Sequence, residues 1–233
     1  MLKKLFKFLG IVILLLIIAY GVLYYLYNKP IPTGESGPEA DALAYRMLDA
    51  LNYKDFNNTK ILEWSFRGDH HYKWDKEKEI VTVRWDNIIV HLDLITPQSS
   101  IATVNNVTTS YEETQNLIEK AQNYFNNDSF WLVAPFKAFD RGTERYLVDM
   151  EDGSEALLVT YTLGGDTPGD SYLWIIEPSG RPKSFKLWTQ IIPIGGVEAS
   201  WEEWTETESG VILPTLHKLG PFSISMGEVK GLK

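Results

Sequence analysis

An almost uncharged apolar run from Phe8 to Tyr27 opens the chain, preceded by Lys3, Lys4 and Lys7. Its 20 residues at the helical rise reach about 30 Å, the thickness of a bilayer's hydrocarbon core. Tyr20, Tyr24, Tyr25 and Tyr27 crowd the far end, where an interfacial aromatic belt belongs. The pattern predicts a basic cytoplasmic tip over 1–7, a transmembrane anchor over 8–27 in the cytoplasmic membrane, and the bulk of the chain on the periplasmic or extracellular side. The rival reading is a cleaved secretory signal. A signal's apolar core is shorter and ends in a small-x-small site, and here only Ala19-Tyr20-Gly21 offers one, followed by bulky Val22, Leu23, Tyr24 and Tyr25.

Residues 28–38, rich in Pro, Gly and Ser, read as a short flexible tether. Pro38 suits a first helical position. Leu43, Ala44, Met47, Leu48 and Leu51 then fall on one stripe at helical spacing, predicting an amphipathic helix over 39–52. The period next drops to two. Leu62, Trp64 and Phe66, then Tyr72 and Trp74, then Val81, Val83 and Trp85, then Ile88, Val90, Leu92 and Leu94 alternate with polar residues and are broken by Gly68-Asp69 and Asp86-Asn87. This is an antiparallel meander with one apolar face. The polar stretch 96–109 reads as a long loop. Ser110 and Glu113 form a capping box for a second helix with Leu117, Ile118, Ala121, Tyr124 and Phe125 on its buried side.

From Phe130 the strands are expected to resume. Asp152-Gly153 turns between 144–150 and 155–162, Pro178-Ser179-Gly180 between 170–177 and 183–191, and further strands cover 197–204, 211–219 and, more weakly, 221–226. With roughly ten strands, a sheet this wide tends to curl or close. The expected fold is mainly β, of α+β class: one domain over 39–233, a strongly curved antiparallel sheet or half-barrel with two helices on its concave side.

Charge and composition narrow the function. The chain of 233 residues carries a net charge of −9, and its first thirty residues hold four lysines and no acid, so the remainder carries −13. Such a surface repels nucleic acid and anionic headgroups. No cysteine is present, which excludes a lipid-modified cysteine, disulfides and thiol chemistry. Aromatic residues make up 13%, with eight tryptophans, all beyond residue 60, a large apolar supply for one domain.

Two segments carry a resemblance. Phe130-Trp131-Leu132-Val133-Ala134-Pro135-Phe136-Lys137 with Asp140-Arg141-Gly142 is the first. Gly165-Asp166-Thr167-Pro168-Gly169-Asp170-Ser171-Tyr172, running into Leu173-Trp174-Ile175-Ile176-Glu177-Pro178, is the second. With the aromatic meander before them they resemble a group of uncharacterised bacterial envelope proteins that are similar to the lipoprotein-localisation (LolA/LolB-like) proteins, over roughly residues 40–230. The resemblance implies an open antiparallel half-barrel with helices plugging its mouth and an apolar cavity for acyl chains. It implies no catalytic residue. The chain departs from those carriers in its N-terminus, being neither freely soluble nor anchored through a lipidated cysteine.

The candidate ligand-binding residues are Trp64, Phe66, Val83, Trp85, Trp131, Phe136, Trp174 and Trp188, either lining a lipid cavity or simply filling the core. Pro135-Phe136-Lys137 with Asp140-Arg141-Gly142 reads as a tight connection closed by a Lys137–Asp140 or Asp140–Arg141 pair, or else as a rim presenting Phe136 to a ligand. The loop Gly164–Asp170 has two carboxylates amid glycines but matches no calcium loop. His70 and His71 point to opposite faces of a strand, and with His91 and His217 they make no metal-ligating pattern, so no metal or cofactor is expected. Glu202 and Glu203 suggest a glycan hydrolase, which needs two facing carboxylates, whereas neighbours on a strand face apart. The leading expectation is a membrane-tethered, non-enzymatic binder of a lipid or lipidated partner. The alternatives are a hydrolase of envelope glycans and an interaction module for another membrane protein.

Overall fold

The computed structural model describes residues 2–163 and 168–233. The apolar run is one helix, α1 (Leu2–Tyr27). Its segment Phe6–Tyr27 is long and apolar enough to cross a membrane, a property it shares with signal sequences, and none of it is buried by the rest of the chain.

The stretch after α1 does not hang free. Asn28 extends the last turn, its N–H bonding the Tyr24 carbonyl at 2.9 Å, and the Lys29 N–H reaches the Gly195 carbonyl at 2.9 Å. The Asn28 Oδ1 accepts from the Gly195 N–H at 2.7 Å, and the Lys29 carbonyl accepts from the Trp188 indole at 2.7 Å. Six residues on, Glu35 exchanges two backbone hydrogen bonds with Leu147, each 2.8 Å. Proline content predicted flexibility; backbone bonding at both ends makes the segment a strap.

Helices α2 (Pro38–Ala50) and α3 (Tyr53–Asn58) follow. The first sheet contains β1 (Ile61–Phe66), β2 (His70–Asp75), β3 (Ile80–Trp85), β4 (Ile88–Asp93), β5 (Ile101–Val104) and β6 (Val107–Thr108). Helix α4 (Tyr111–Val133) leads through a 3-10 turn (Ala134–Lys137) to the second sheet. That sheet contains β7 (Thr143–Asp149), β8 (Glu155–Tyr161), β9 (Ser171–Ile176), β10 (Pro182–Trp188), β11 (Val197–Ser200), β12 (Glu202–Glu206), β13 (Ile212–Leu219) and β14 (Phe222–Ser225). The last strand, β15 (Lys230–Leu232), returns to the first sheet.

Both sheets are antiparallel, in the orders β15-β1-β2-β3-β4-β5-β6 and β12-β13-β11-β10-β9-β8-β7, with β14 beside β13. Backbone bonds join them: Ser65 N–H to the Met226 carbonyl at 3.0 Å, Arg67 N–H to the Ser225 carbonyl at 2.8 Å, and Ser209 N–H, in the turn from β12 to β13, to the Gly231 carbonyl of β15 at 2.8 Å. Register in the first sheet follows the apolar alternation. Trp64, Tyr72, Val83, Val90 and Ala102 stand opposite one another from β1 to β5, and all are buried. A one-residue slip would turn that whole row to solvent.

The described residues thus form a mainly β fold with two antiparallel sheets, and three helices beyond the N-terminal one rather than two. Three expectations need correcting. The stretch 96–109 is not a loop: Asn105 and Asn106 both take positive φ (52° and 63°) and turn β5 into β6, the two-residue hairpin geometry that asparagine tolerates. Strands do not resume at Phe130, because α4 continues to Val133. Its apolar stripe is interrupted by Asp128 and Ser129, which are buried all the same. The strand expected over 197–204 breaks at buried Trp201, whose N–H bonds the Lys183 carbonyl at 2.9 Å. The N-cap is as expected, with the Ser110 hydroxyl accepting from the Glu113 N–H at 3.3 Å, a contact of the kind worth about 1 kcal/mol.

α2 lies on β7 and β8, while α4 touches β4 and β5 of one sheet and β13 of the other. Around them lie two merged cores. One gathers Leu62, Trp64, Val83, Leu92, Phe125 and Leu132, the other Met47, Leu157, Trp174, Phe185 and Trp201, and Trp131 packs against both. A third cluster of Val148, Ala156, Leu158 and Leu173 occupies the opposite face of the second sheet. The strap runs beside it: a Cβ placed on Gly34 would stand 2.9 Å from both Tyr146 Cβ and Val148 Cγ2.

Candidate functional site

Between α4 and the sheets lies a cavity of about 520 Å³. Helical spacing puts Asn126, Ser129 and Phe130 of α4 on one of its walls. Strand alternation supplies the facing wall: Tyr172 of β9 stands opposite Leu187 of β10, Phe185 lies two residues back on the same face, and Tyr161 ends β8. Trp74 of β2 and Trp131 contribute indole surface, and Ile191 and Ile192 come from the loop joining β10 to β11. The rings interlock, with Phe130 4.5 Å from Tyr172 and 6.4 Å from Phe185 between centroids.

Two hydrogen-bond donors in these walls are unspent. The Tyr161 hydroxyl and the Trp74 indole N–H are buried with no hydrogen-bond partner among the described residues. Burial raises the Tyr161 phenol well above its ordinary pKa, and burial, then the neighbouring Asp170 carboxylate, raises that of Tyr172. Both stay protonated donors at neutral pH. Leaving such a group unpaired costs on the order of 1–3 kcal/mol, a cost the packing around the cavity offsets.

Lys137, Asp140 and Arg141 also line the cavity. The Lys137 ammonium pairs with Asp140 at 3.3 Å, as the tight-connection reading expects, and the same turn borders the void. Phe136 points away from it and stacks on Phe56 at 4.0 Å.

Of the eight residues predicted to bind ligand, the structure brings Trp131 to this cavity. Trp64, Val83 and Trp85 are buried in the first core, where Trp64 stacks on Tyr72 at 4.7 Å. Half-buried Phe66 packs at the edge of that core. Trp174 is sealed in the second core, 5.4 Å from Phe185 and 5.3 Å from Trp201. Trp188 packs on the opposite face of its sheet and holds the strap. Sequence reasoning passed over Trp74, Phe130, Tyr161, Tyr172 and Phe185. Carrying the inward alternation to the strand ends would have found Tyr161, Tyr172 and Phe185, since each is in phase with a core residue: Val159, Trp174 and Leu187 respectively.

A second buried polar group was not legible. Asp128 of α4 accepts hydrogen bonds from the Tyr72 hydroxyl at 2.5 Å and the Asn127 amide at 2.9 Å, and lies 2.6 Å from His70 Nδ1. Tyr124 stacks on the His70 ring at 3.8 Å. The cluster pins α4 to β2. Burial, with the Asp128 carboxylate beside it, keeps the Tyr72 phenol protonated.

Among the described residues no three His, Asp or Glu side chains converge as a metal site would require. His71 is exposed, His91 bonds Thr82 at 3.0 Å, and His217 lies buried against Trp131 and Trp201. Glu202 bonds Lys218 at 2.9 Å, which holds its carboxyl below the usual range, and exposed Glu203 sits at φ 52°. Neither lines the cavity. In the glycine-rich loop, residues 164–167, Asp166 included, lie outside the described residues, and buried Asp170 accepts from the Gln190 N–H at 3.1 Å.

No protein-family model matches the chain, and no curated protein matches its sequence.

Proposed function

We propose that this is a single-pass envelope protein, held in the cytoplasmic membrane by residues 8–27 with its N-terminus inside. The domain beyond the anchor, an open antiparallel half-barrel, takes an acyl chain of a lipid or lipidated partner into its cavity and performs no chemistry on it. The observation that carries this reading is the cavity itself: about 520 Å³ walled by Trp74, Phe130, Trp131, Tyr172, Phe185 and Leu187, within the size range of small-molecule sites. Burying methylene groups there is worth about 0.8 kcal/mol each, on the order of 10 kcal/mol gross for a long chain. Lys3, Lys4 and Lys7 favour the orientation. The resemblance to lipoprotein-localisation proteins points to the same class of ligand.

Full-length protein purified in mild detergent should release bound lipid on organic extraction, read by mass spectrometry, and should take up a fluorescent fatty acid. Ile192→Trp, which fills the void from its loop side, should weaken that uptake about tenfold, equivalent to about 1.4 kcal/mol, with thermal unfolding unchanged. Absence of both lipid and uptake would refute the reading.

A further inference from the structure

We infer that the cavity opens at the surface of the membrane holding α1, and that its ligand is an acyl chain drawn directly from a lipid of that leaflet rather than received through water. The inference rests on the acyl-binding and anchoring readings above and adds where the ligand comes from.

The loop 189–196 carries the argument, because it does two things at once. Its first half lines the cavity through Thr189, Ile191 and Ile192. Its second half receives the end of the anchor, with Gly195 bonded to both Asn28 and Lys29. Gly195 lies three residues beyond Ile192, a reach of at most about 10 Å. A smaller concavity of about 270 Å³ continues from one to the other. It shares Asp170, Thr189 and Ile192 with the main cavity and includes Asn28 and Gly195.

Helix α1 is apolar to Tyr27 and unburied, so the hydrocarbon ends within a residue or so of Asn28. The headgroup layer beyond is about 5–8 Å deep. Gly195 is bonded to Asn28, and the rim at Ile192 lies at most about 10 Å from Gly195, which sets it beside that layer. The rim is dressed for that contact: Ile191 is 70% exposed and Leu163, also on the lining, 58%.

The junction also has no slack. A Cβ on Gly195 would stand 2.3 Å from Trp188 Cδ1, and one on Gly196 would stand 2.9 Å from Lys29 Cβ. With Glu35 bonded to Leu147 as well, the domain is tied closely to the end of its anchor.

The chain contains no cysteine, so a single one can be placed and labelled in the full-length protein. Ile191→Cys carries an environment-sensitive fluorophore in vesicles of phosphatidylethanolamine and phosphatidylglycerol, some bearing a nitroxide in the headgroup or upper chain. Asp152→Cys, on the exposed turn at the opposite end of β8 from Tyr161, is the reference. The Ile191 probe should be quenched several-fold more strongly than the Asp152 probe and be shielded from aqueous iodide. Equal, weak quenching at both positions, in protein that still releases lipid on extraction, would overturn the membrane-facing mouth and leave acyl binding intact. Strong quenching at Ile191 with no lipid recovered would overturn acyl binding, and the source of the ligand with it, while leaving the orientation standing.

Discussion

Trp174→Ala lowers the free energy of unfolding by about 3–5 kcal/mol, the cost of removing a large buried aromatic side chain. Trp174 is fully buried and touches no solvent through the cavity, whose walls do not include it. Phe185 and Trp201 flank it at 5.4 and 5.3 Å, and Leu157 stands opposite it on β8. Its indole N–H has no hydrogen-bond partner among the described residues, so the loss is one of packing and not of a polar contact. Trp174→Phe should recover most of the loss. Denaturant unfolding of the detergent-solubilised protein, followed by the fluorescence of the remaining tryptophans, measures both variants. A loss for Trp174→Ala under about 0.5 kcal/mol, the range of surface changes, would mean that the second core is not close-packed around this ring.

The second large effect is a loss of stability in acid that passes through one imidazole. His217 is buried, its Nδ1–H donating to the Ser200 carbonyl at 2.9 Å and its ring edge-on to Trp201 at 4.6 Å. Burial is the main influence on its pKa, pushing it from 6.5 down to about 4. In the folded protein it stays neutral where the unfolded chain takes up a proton. The contribution to stability is complete above about pH 6.5, falls as the pH drops, and is exhausted near pH 4. The difference corresponds to about 3 kcal/mol. His217→Gln keeps a donor and abolishes the titration. The wild-type stability minus that of the variant should therefore slope steeply between about pH 4 and 6.5 and be flat above. The lowered carboxyls of Asp75, Asp93 and Glu202 act at lower pH, since a depressed carboxylate loses its contribution only as the pH falls through its folded pKa. A flat difference across the window would show that His217 is charged in the folded state.

The sequence spoke most clearly where one face of an element is buried. The meander from Leu62 to Leu92 alternates with few faults, such as Ile89 beside Ile88 and Val90, and its register can be written down from the pattern. The capping box at Ser110 and the hairpin at Asp152-Gly153 are local chemistry and were equally plain. What was lost lay where burial and polarity disagree. Asp128 and Ser129 read as the end of a helix because they are polar, yet they are interior, satisfied or enclosed by groups far away in sequence such as Tyr72 and His70. β5 and β6 went unseen because Ile101 and Val107 are exposed, which erases the alternation. The cavity was the least legible feature. Alternation says which side chains face inward, and it does not say which inward residues meet one another. Trp64 and Trp131 look alike in the sequence, and only the path of α4 leaves one against Tyr72 and the other beside a void.

The strap beside the second sheet changes where this chain can be cut. Val148, Leu158 and Leu173 present an apolar surface on that side, and Gly34 sits tight against its margin. A fragment trimmed to begin at residue 39 loses Gly34, Glu35 and the bonds to Trp188 and Gly195 together. It would uncover the margin of this greasy face and leave the edge of β7 free to recruit a strand from a neighbour. Cutting before Asn28 instead keeps the cover in place. Two truncations eleven residues apart would then differ as a clear solution differs from a precipitate.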